Sequence, residues 1–297
     1  MTGPVGDPVG GPPPEAPAAA RAASLEVSGR DAAVLPPLRG ALPAGTRVSV
    51  AQLPKESSAE RLAAVRAVLA QGWQPVLHVA ARRLASRAEL DAVLGGLAAV
   101  GGAEEVFVVG GDPSTPRGPF PDALSVISSG LLAEHGVRAV GVASYPEEHP
   151  GVPTEVLARA LHDKLDACAA SGLAASITTQ FAFDAERVLD HVAELRALGV
   201  DVPVRIGLPG PAGAARLLGY ARRCGVGTSA GVLRKYGLSA VDLAGRTGPD
   251  RLVEALERGY RVEVHGDVAL HVHSFGDPAA AVRWLAGRTT ALDVRPA

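Results

Sequence analysis

Several residues in this 297-residue chain place acid, imidazole or amide groups inside or just after short apolar runs. Glu26 lies within Ser-Leu-Glu-Val, where an ionisable group is costly to bury without a partner or a purpose. It is either a proton-transferring carboxyl or an outward-facing strand residue. His78 lies in Val-Leu-His-Val and reads as a core imidazole or a ligand contact. Gly110, Gly111 and Asp112 follow Val-Val, and the two glycines would let backbone approach a ligand, or simply form a turn with an Asx cap. Tyr145, Glu147, Glu148 and His149 fall in Ser-Tyr-Pro-Glu-Glu-His-Pro. The prolines would suit a rigid helix lead-in, but they do not explain an aromatic and an imidazole in the same short loop. Gln180 follows Thr-Thr; its amide both donates and accepts, as the edge of a heterocycle requires, and so does an ordinary loop hydrogen bond.

His265, His271 and His273 raise a metal reading. An H-x-H on one strand supplies two ligands and no third is evident in the sequence, so no metal is expected. Gly225, Gly227 and Gly231 do not follow a strand in the dinucleotide-binding manner.

These groups must be held by whatever the apolar runs form. Strands are expected over residues 23–27, 47–52, 75–80, 105–109, 139–143, 175–179, 203–206 and 270–275, alternating with segments of 3.6-residue periodicity. The helices are 58–71, 86–100, 122–135, 154–170, 184–198, 212–224 and 277–285, the first two opened by Ser57-x-x-Glu60 and Ser86-x-x-Glu89 capping boxes. The first connection, 28–46, carries prolines and is the least defined. Such alternation implies a parallel sheet, and so many strands in even succession imply a closed (β/α)8 TIM barrel. The stretch between Cys224 and Leu270 far exceeds the roughly 2–6 residues of an αβ loop, so a helical insertion over 238–257 is expected before the last strand. In this fold, chemistry belongs at the carboxyl ends of the strands, where the residues above fall.

Residues 1–22 are rich in Pro and Gly and poor in large apolar side chains; a disordered tail is expected there, with one catalytic domain over 23–297. No apolar run approaches a membrane span, and 29 basic against 31 acidic residues leave no footprint for nucleic acid. Cys168 and Cys224 lack metal or redox spacing and read as reduced, buried thiols of a cytoplasmic protein.

The same polar set resembles the methylenetetrahydrofolate reductase family, from about residue 23 to the eighth strand. The similarity is strongest in Tyr-Pro-Glu-Glu-His-Pro at 145–150, Gly-Gly-Asp at 110–112, and the stretch from Lys164-Leu-Asp-Ala to Asp184. The resemblance implies a (β/α)8 flavoprotein of one-carbon metabolism and methionine biosynthesis. It would pass hydride from NADH or NADPH through FAD to 5,10-methylenetetrahydrofolate. Glu26 would be the general acid that opens the folate's five-membered ring, with a raised pKa; Asp112 and Gln180 would bind the pterin. His78, Gly111, Asp112, Tyr145, His149 and Lys164 would lie at the flavin. The implied partner is the folate substrate, with no nucleic acid and no membrane, and self-association into a homo-oligomer stays open.

The chain departs from the family pattern at Val27, Ser28 and Gly29, at Ala51, Gln52 and Ala80, at Leu157 and Ala160 where the family holds FAD with polar residues, and after the seventh strand, where an aromatic is missing. Two alternatives follow: a reductase of the same folate without flavin, or a non-catalytic folate-binding partner of a methyltransferase or demethylase.

Overall fold

A computed structural model describes residues 23–147, 149, 151–224, 246–247 and 249–287. Eight parallel strands close into a barrel: β1 (Ser24–Ser28), β2 (Arg47–Ala51), β3 (Gln74–Ala80), β4 (Glu105–Val109), β5 (Ala139–Ser144), β6 (Ala174–Thr179), β7 (Val204–Pro209) and β8 (Val268–His273), with β8 pairing back on β1. The expected strands are all present, with ends shifted by a few residues. The last starts and stops two residues earlier than expected because Ser274 and Phe275 already leave the ladder.

Each strand carries two patterns at once. Leu25, Val27, Val48, Val50, Leu77, Val79, Val106, Val108, Val140, Val142, Ile177, Ile206, Leu270 and Val272 are buried against the surrounding helices. The alternate set points into the barrel, as the side-chain period of 2 demands. Most barrel interiors are filled by branched apolar residues; this one is lined by Ser49, Ser176, His271 and the charged Glu105 and Arg205. At the amino-terminal end Arg47 pairs with Glu105 beside Arg205, forming a charged floor.

The outer elements are α1 (Ser58–Ala70), α2 (Arg87–Ala99), α3 (Ala123–Ile127), α4 (Leu131–Glu134), α5 (Thr154–Ala170), α6 (Ala185–Ala197), α7 (Ala214–Cys224), α8 (Asp250–Gly259), α9 (Val262–His265) and α10 (Pro278–Ala286). The Ser57 box forms reciprocally: Ser57 Oγ accepts from the Glu60 amide, and Glu60 Oε2 accepts from the Ser57 amide at 2.7 Å. At Ser86 the acid reaches one residue further back, and Glu89 Oε2 accepts from the Ala85 amide at 2.7 Å. The single helix expected over 122–135 is instead α3 and α4, broken at Gly130, whose φ of 81° is left-handed. The first connection forms 3-10 turns, Gly29–Val34 and Pro36–Leu38.

The expected insertion is also corrected in place. The helix packed beside α6 is α8, so α8 serves as the barrel's own outer helix between β7 and β8. The extra chain precedes it: α7 follows β7, and the two-residue stretches Ala212–Gly213 and Arg246–Thr247 pair antiparallel. Residues 225–245, which include Gly225, Gly227, Gly231 and the first part of the expected 238–257 helix, lie outside the described residues, as do the tail 1–22 and Glu148. No helix among the described residues is long and apolar enough to cross a membrane.

Candidate active site

At the carboxyl ends of the strands a cavity of about 300 Å³ opens, lined by Glu26, Ser49, His78, Phe107, Tyr145, Thr178, Gln180, Phe181, Tyr220, His271, His273 and Phe275 among others. Its volume is at the low end for small-molecule sites. Glu26 points into it, which removes the outward-facing alternative.

Glu26 is set among imidazoles. His273 Nδ1 lies 3.4 Å from Glu26 Oε1, and His78 Nε2 lies 3.7 Å from Glu26 Oε2. The His78 ring is placed by Phe107, at 4.7 Å between centroids, and Phe107 is accommodated only because residue 141 is glycine: a Cβ there would meet Phe107 Cδ2 at 2.5 Å. His271 Nδ1 is 2.9 Å from Ser24 Oγ, which donates to the Leu270 carbonyl at 3.3 Å. The hydroxyl proton is thus committed, so Ser24 accepts from Nδ1–H and leaves the His271 Nε2 lone pair free.

Burial raises the Glu26 carboxyl, but His273, by charge and hydrogen bond, and then His78 and His271 outweigh it and bring it down to about 2. This corrects the expected raised pKa. Burial lowers His78 to about 4 and His271 well below the ordinary imidazole value.

The other expected residues divide. Gln180 lines the cavity: its Oε1 accepts from the Phe181 amide at 3.0 Å, and its NH2 has no protein partner among the described residues. Asp112 shares the same end of the barrel but does not line the cavity; it is 82% exposed and pairs with Arg83 at 2.9 Å. Gly111 adopts φ 91° behind it. Tyr145 lines the cavity, its phenol raised first by burial and then by Cys224 and Asp112. His149 stands edge-on to Tyr145 at 5.0 Å and its Nδ1 accepts from the Gly151 amide, outside the cavity.

Lys164 faces a second cavity of about 190 Å³ between α5 and α6, with Leu157, Ala160, Leu161, Arg187 and His191. Burial pushes its ammonium down, and likewise brings His191 to about 4. Neither cysteine is in a disulfide, and of the two only Cys168 is fully buried; Cys224 lines the main cavity, contrary to expectation.

Sequence reasoning missed the aromatic wall. Phe275 packs 5.1 Å from Phe181 and 4.4 Å from Tyr220, and Phe181 lies 5.5 Å from His273. Phe275 has φ 49°, a strained value for an aromatic residue and one that clusters at functional sites. Tyr220, on the helix following β7, supplies an aromatic group on the side where the seventh loop lacks one. The H-x-H of β8 was visible but was set aside for want of a third ligand; Glu26 is that third group.

A flavin dinucleotide needs donors for its pyrophosphate as well as a slot for its ring. No lysine or arginine lines the main cavity among the described residues. The arginines near the Gly110–Gly111 turn are engaged: Arg82 donates to the Pro121 and Pro113 carbonyls, Arg117 to the Arg83 carbonyl, and Arg83 to Asp112. Lys164 faces the second cavity together with Arg187, and the two cavities share Ala143 and Tyr145. Within the main cavity, the described residues supply no cation for a flavin pyrophosphate.

Residues 45–226 match the family model for methylenetetrahydrofolate reductase. The fold is similar to that of a Clostridium thermocellum protein described as uncharacterized and as binding two copies of 5-methyl-5,6,7,8-tetrahydrofolic acid, with a TM-score of 0.56 and 12% identity over 91% of this chain and 96% of that one. A weaker likeness, TM-score 0.45 and 16% identity over 90% and 92% of the two chains, is to dihydropteroate synthase from Thermus thermophilus. Glu26, His271 and His273 fall outside the matched span, which nevertheless covers more than half of the sequence: the chain belongs to the methylenetetrahydrofolate reductase family.

Proposed function

We propose that the protein reduces 5,10-methylenetetrahydrofolate to 5-methyltetrahydrofolate, with hydride supplied directly by NADH or NADPH. The observation that carries this reading is the Glu26 carboxyl, paired with His273 inside a cavity that also presents Gln180 and an aromatic wall. The neighbouring fold described as binding 5-methyltetrahydrofolic acid supports a folate in such a cavity.

In this reading the pterin packs on Phe181, Phe275 and Tyr220, and the free NH2 of Gln180 donates to an acceptor on its edge. The proton held between Glu26 Oε1 and His273 Nδ1 passes to N10 of the folate, breaking the bond from N10 to the methylene carbon and leaving an iminium at N5. Hydride from the dihydronicotinamide adds to that carbon, giving the N5-methyl group and the oxidised nicotinamide. One proton and one hydride are consumed per turnover. The protein aligns the two rings and excludes water.

The direct route is preferred to the flavin route implied by the resemblance because no lysine or arginine lines the main cavity among the described residues. The deciding assay follows NADH and NADPH oxidation with methylenetetrahydrofolate under anaerobic conditions, with and without added FAD. Turnover independent of FAD is expected. Turnover only after FAD addition overturns the direct route. Binding of 5-methyltetrahydrofolate without turnover under either condition would make the chain a folate-binding partner instead.

A further inference from the structure

The proton chemistry above uses Glu26 and one neighbouring imidazole, yet the barrel mouth holds more nitrogen ligands than that chemistry needs. Glu26, His271 and His273 each direct a ligand atom to one place, all within 4.8 Å of one another. Ligand atoms of a tetrahedral zinc ion are roughly 3.3 Å apart, given bonds of about 2.0–2.1 Å. One of these separations, 3.4 Å between His273 Nδ1 and Glu26 Oε1, already matches that spacing.

Two further features favour an ion over a merely packed cluster. The Ser24 hydroxyl fixes His271 in the tautomer whose Nε2 lone pair is free, the orienting contact that metal-bound histidines commonly have. All three side chains also line the cavity, leaving a coordination position open to water or ligand. His78 flanks the other carboxylate oxygen at 3.7 Å, and no cationic side chain lines the cavity among the described residues to repel an incoming ion.

We infer that Glu26, His271 and His273 form a binding site for a divalent first-row transition metal, of which zinc is the type case. Two imidazoles and a carboxylate suit zinc, cobalt or ferrous ions and are a poor set for magnesium or calcium. The ion and the ring-opening proton require the same carboxylate, so a bound ion inhibits. That inhibitory consequence rests on the proposed reductase activity; the site itself does not.

The test titrates Co²⁺ and Zn²⁺ into the full-length protein after EDTA treatment, reading the visible bands of cobalt and the heat of zinc binding. One equivalent is expected to bind, with affinity reduced at least tenfold in His271→Gln and in His273→Gln and less severely in Ser24→Ala. Circular dichroism checks that each variant is folded; if the buried His271→Gln is not, His273→Gln and Ser24→Ala carry the comparison. Absence of stoichiometric binding, or binding unchanged in the folded histidine variants, overturns the site. One equivalent of zinc should abolish turnover and EDTA should restore it; full turnover with zinc bound overturns the inhibition. Metal-free protein that turns over but takes up no cobalt leaves the reductase reading standing alone, and cobalt uptake without turnover does the reverse.

Discussion

His273 Nδ1 stands 3.4 Å from Glu26 Oε1 although 247 positions separate the two residues, because the barrel closes between β1 and β8 and their register pairs these two Cα positions. Barrel closure thus builds the proton-bearing pair, and a change at either partner should be felt in the chemical step. Glu26→Gln keeps the size and one hydrogen-bonding oxygen while removing the acid. We expect kcat to fall about 10²- to 10⁴-fold with folate affinity changed only a few-fold. A loss confined to affinity would remove Glu26 from the reaction.

The pH dependence of stability has a defined sign. Burial holds His78 at about 4 in the folded protein against 6.5, so between those values the unfolded chain takes up a proton that the folded one does not, and stability falls as pH falls. Glu26, at about 2 against 4.5, contributes stability that is complete above 4.5 and is lost as pH drops toward 2. Thermal melts from pH 7 to 3 should show a continuous decline in Tm, with His78→Gln flattening the part above pH 4. A level Tm across that range would contradict both assignments.

Tyr220 and Phe275 form the side of the cavity nearest α7, 4.4 Å apart. An aromatic contact contributes about 0.5–1.5 kcal/mol beyond its buried area. Tyr220→Ala should therefore raise the Kd for 5-methyltetrahydrofolate roughly 3- to 10-fold by calorimetry. An unchanged Kd would place the pterin elsewhere.

Gly141→Ala tests the support beneath His78. The added Cβ would stand 2.5 Å from the Phe107 ring in a packed interior, which costs about 1–3 kcal/mol by overpacking. Urea denaturation should register that loss, and the displaced ring should also lower turnover. Wild-type stability would mean Phe107 has room to move and does not position His78.

Much of the barrel was legible because each strand has an apolar outward face, and its periodicity survives in the sequence. The polar inward face was harder to interpret: Glu26, Ser49 and His78 interrupt apolar runs, and nothing local says whether such a residue points inward or to solvent. Gln180 and Tyr145 were found from their position after strands. Asp112 was placed at the correct end but not in the cavity, since its ion pair with Arg83 joins side chains on two separate loops. The Phe275–Tyr220 contact depends on where α7 lies over the mouth, which no sequence spacing encodes. The grouping of Glu26 with His271 and His273 was missed for a related reason: it requires the first and last strands to be neighbours, a property of closure rather than of any segment.

The charged floor made by Arg47, Glu105 and Arg205 has a kinetic consequence. It makes the barrel a blind shaft, so two reactants have one doorway, and whichever enters first lies beneath the other. For the proposed reaction a strict order of arrival and departure follows, visible in product-inhibition patterns, where only the inner reactant's product, the last to leave, should compete with the first substrate to bind.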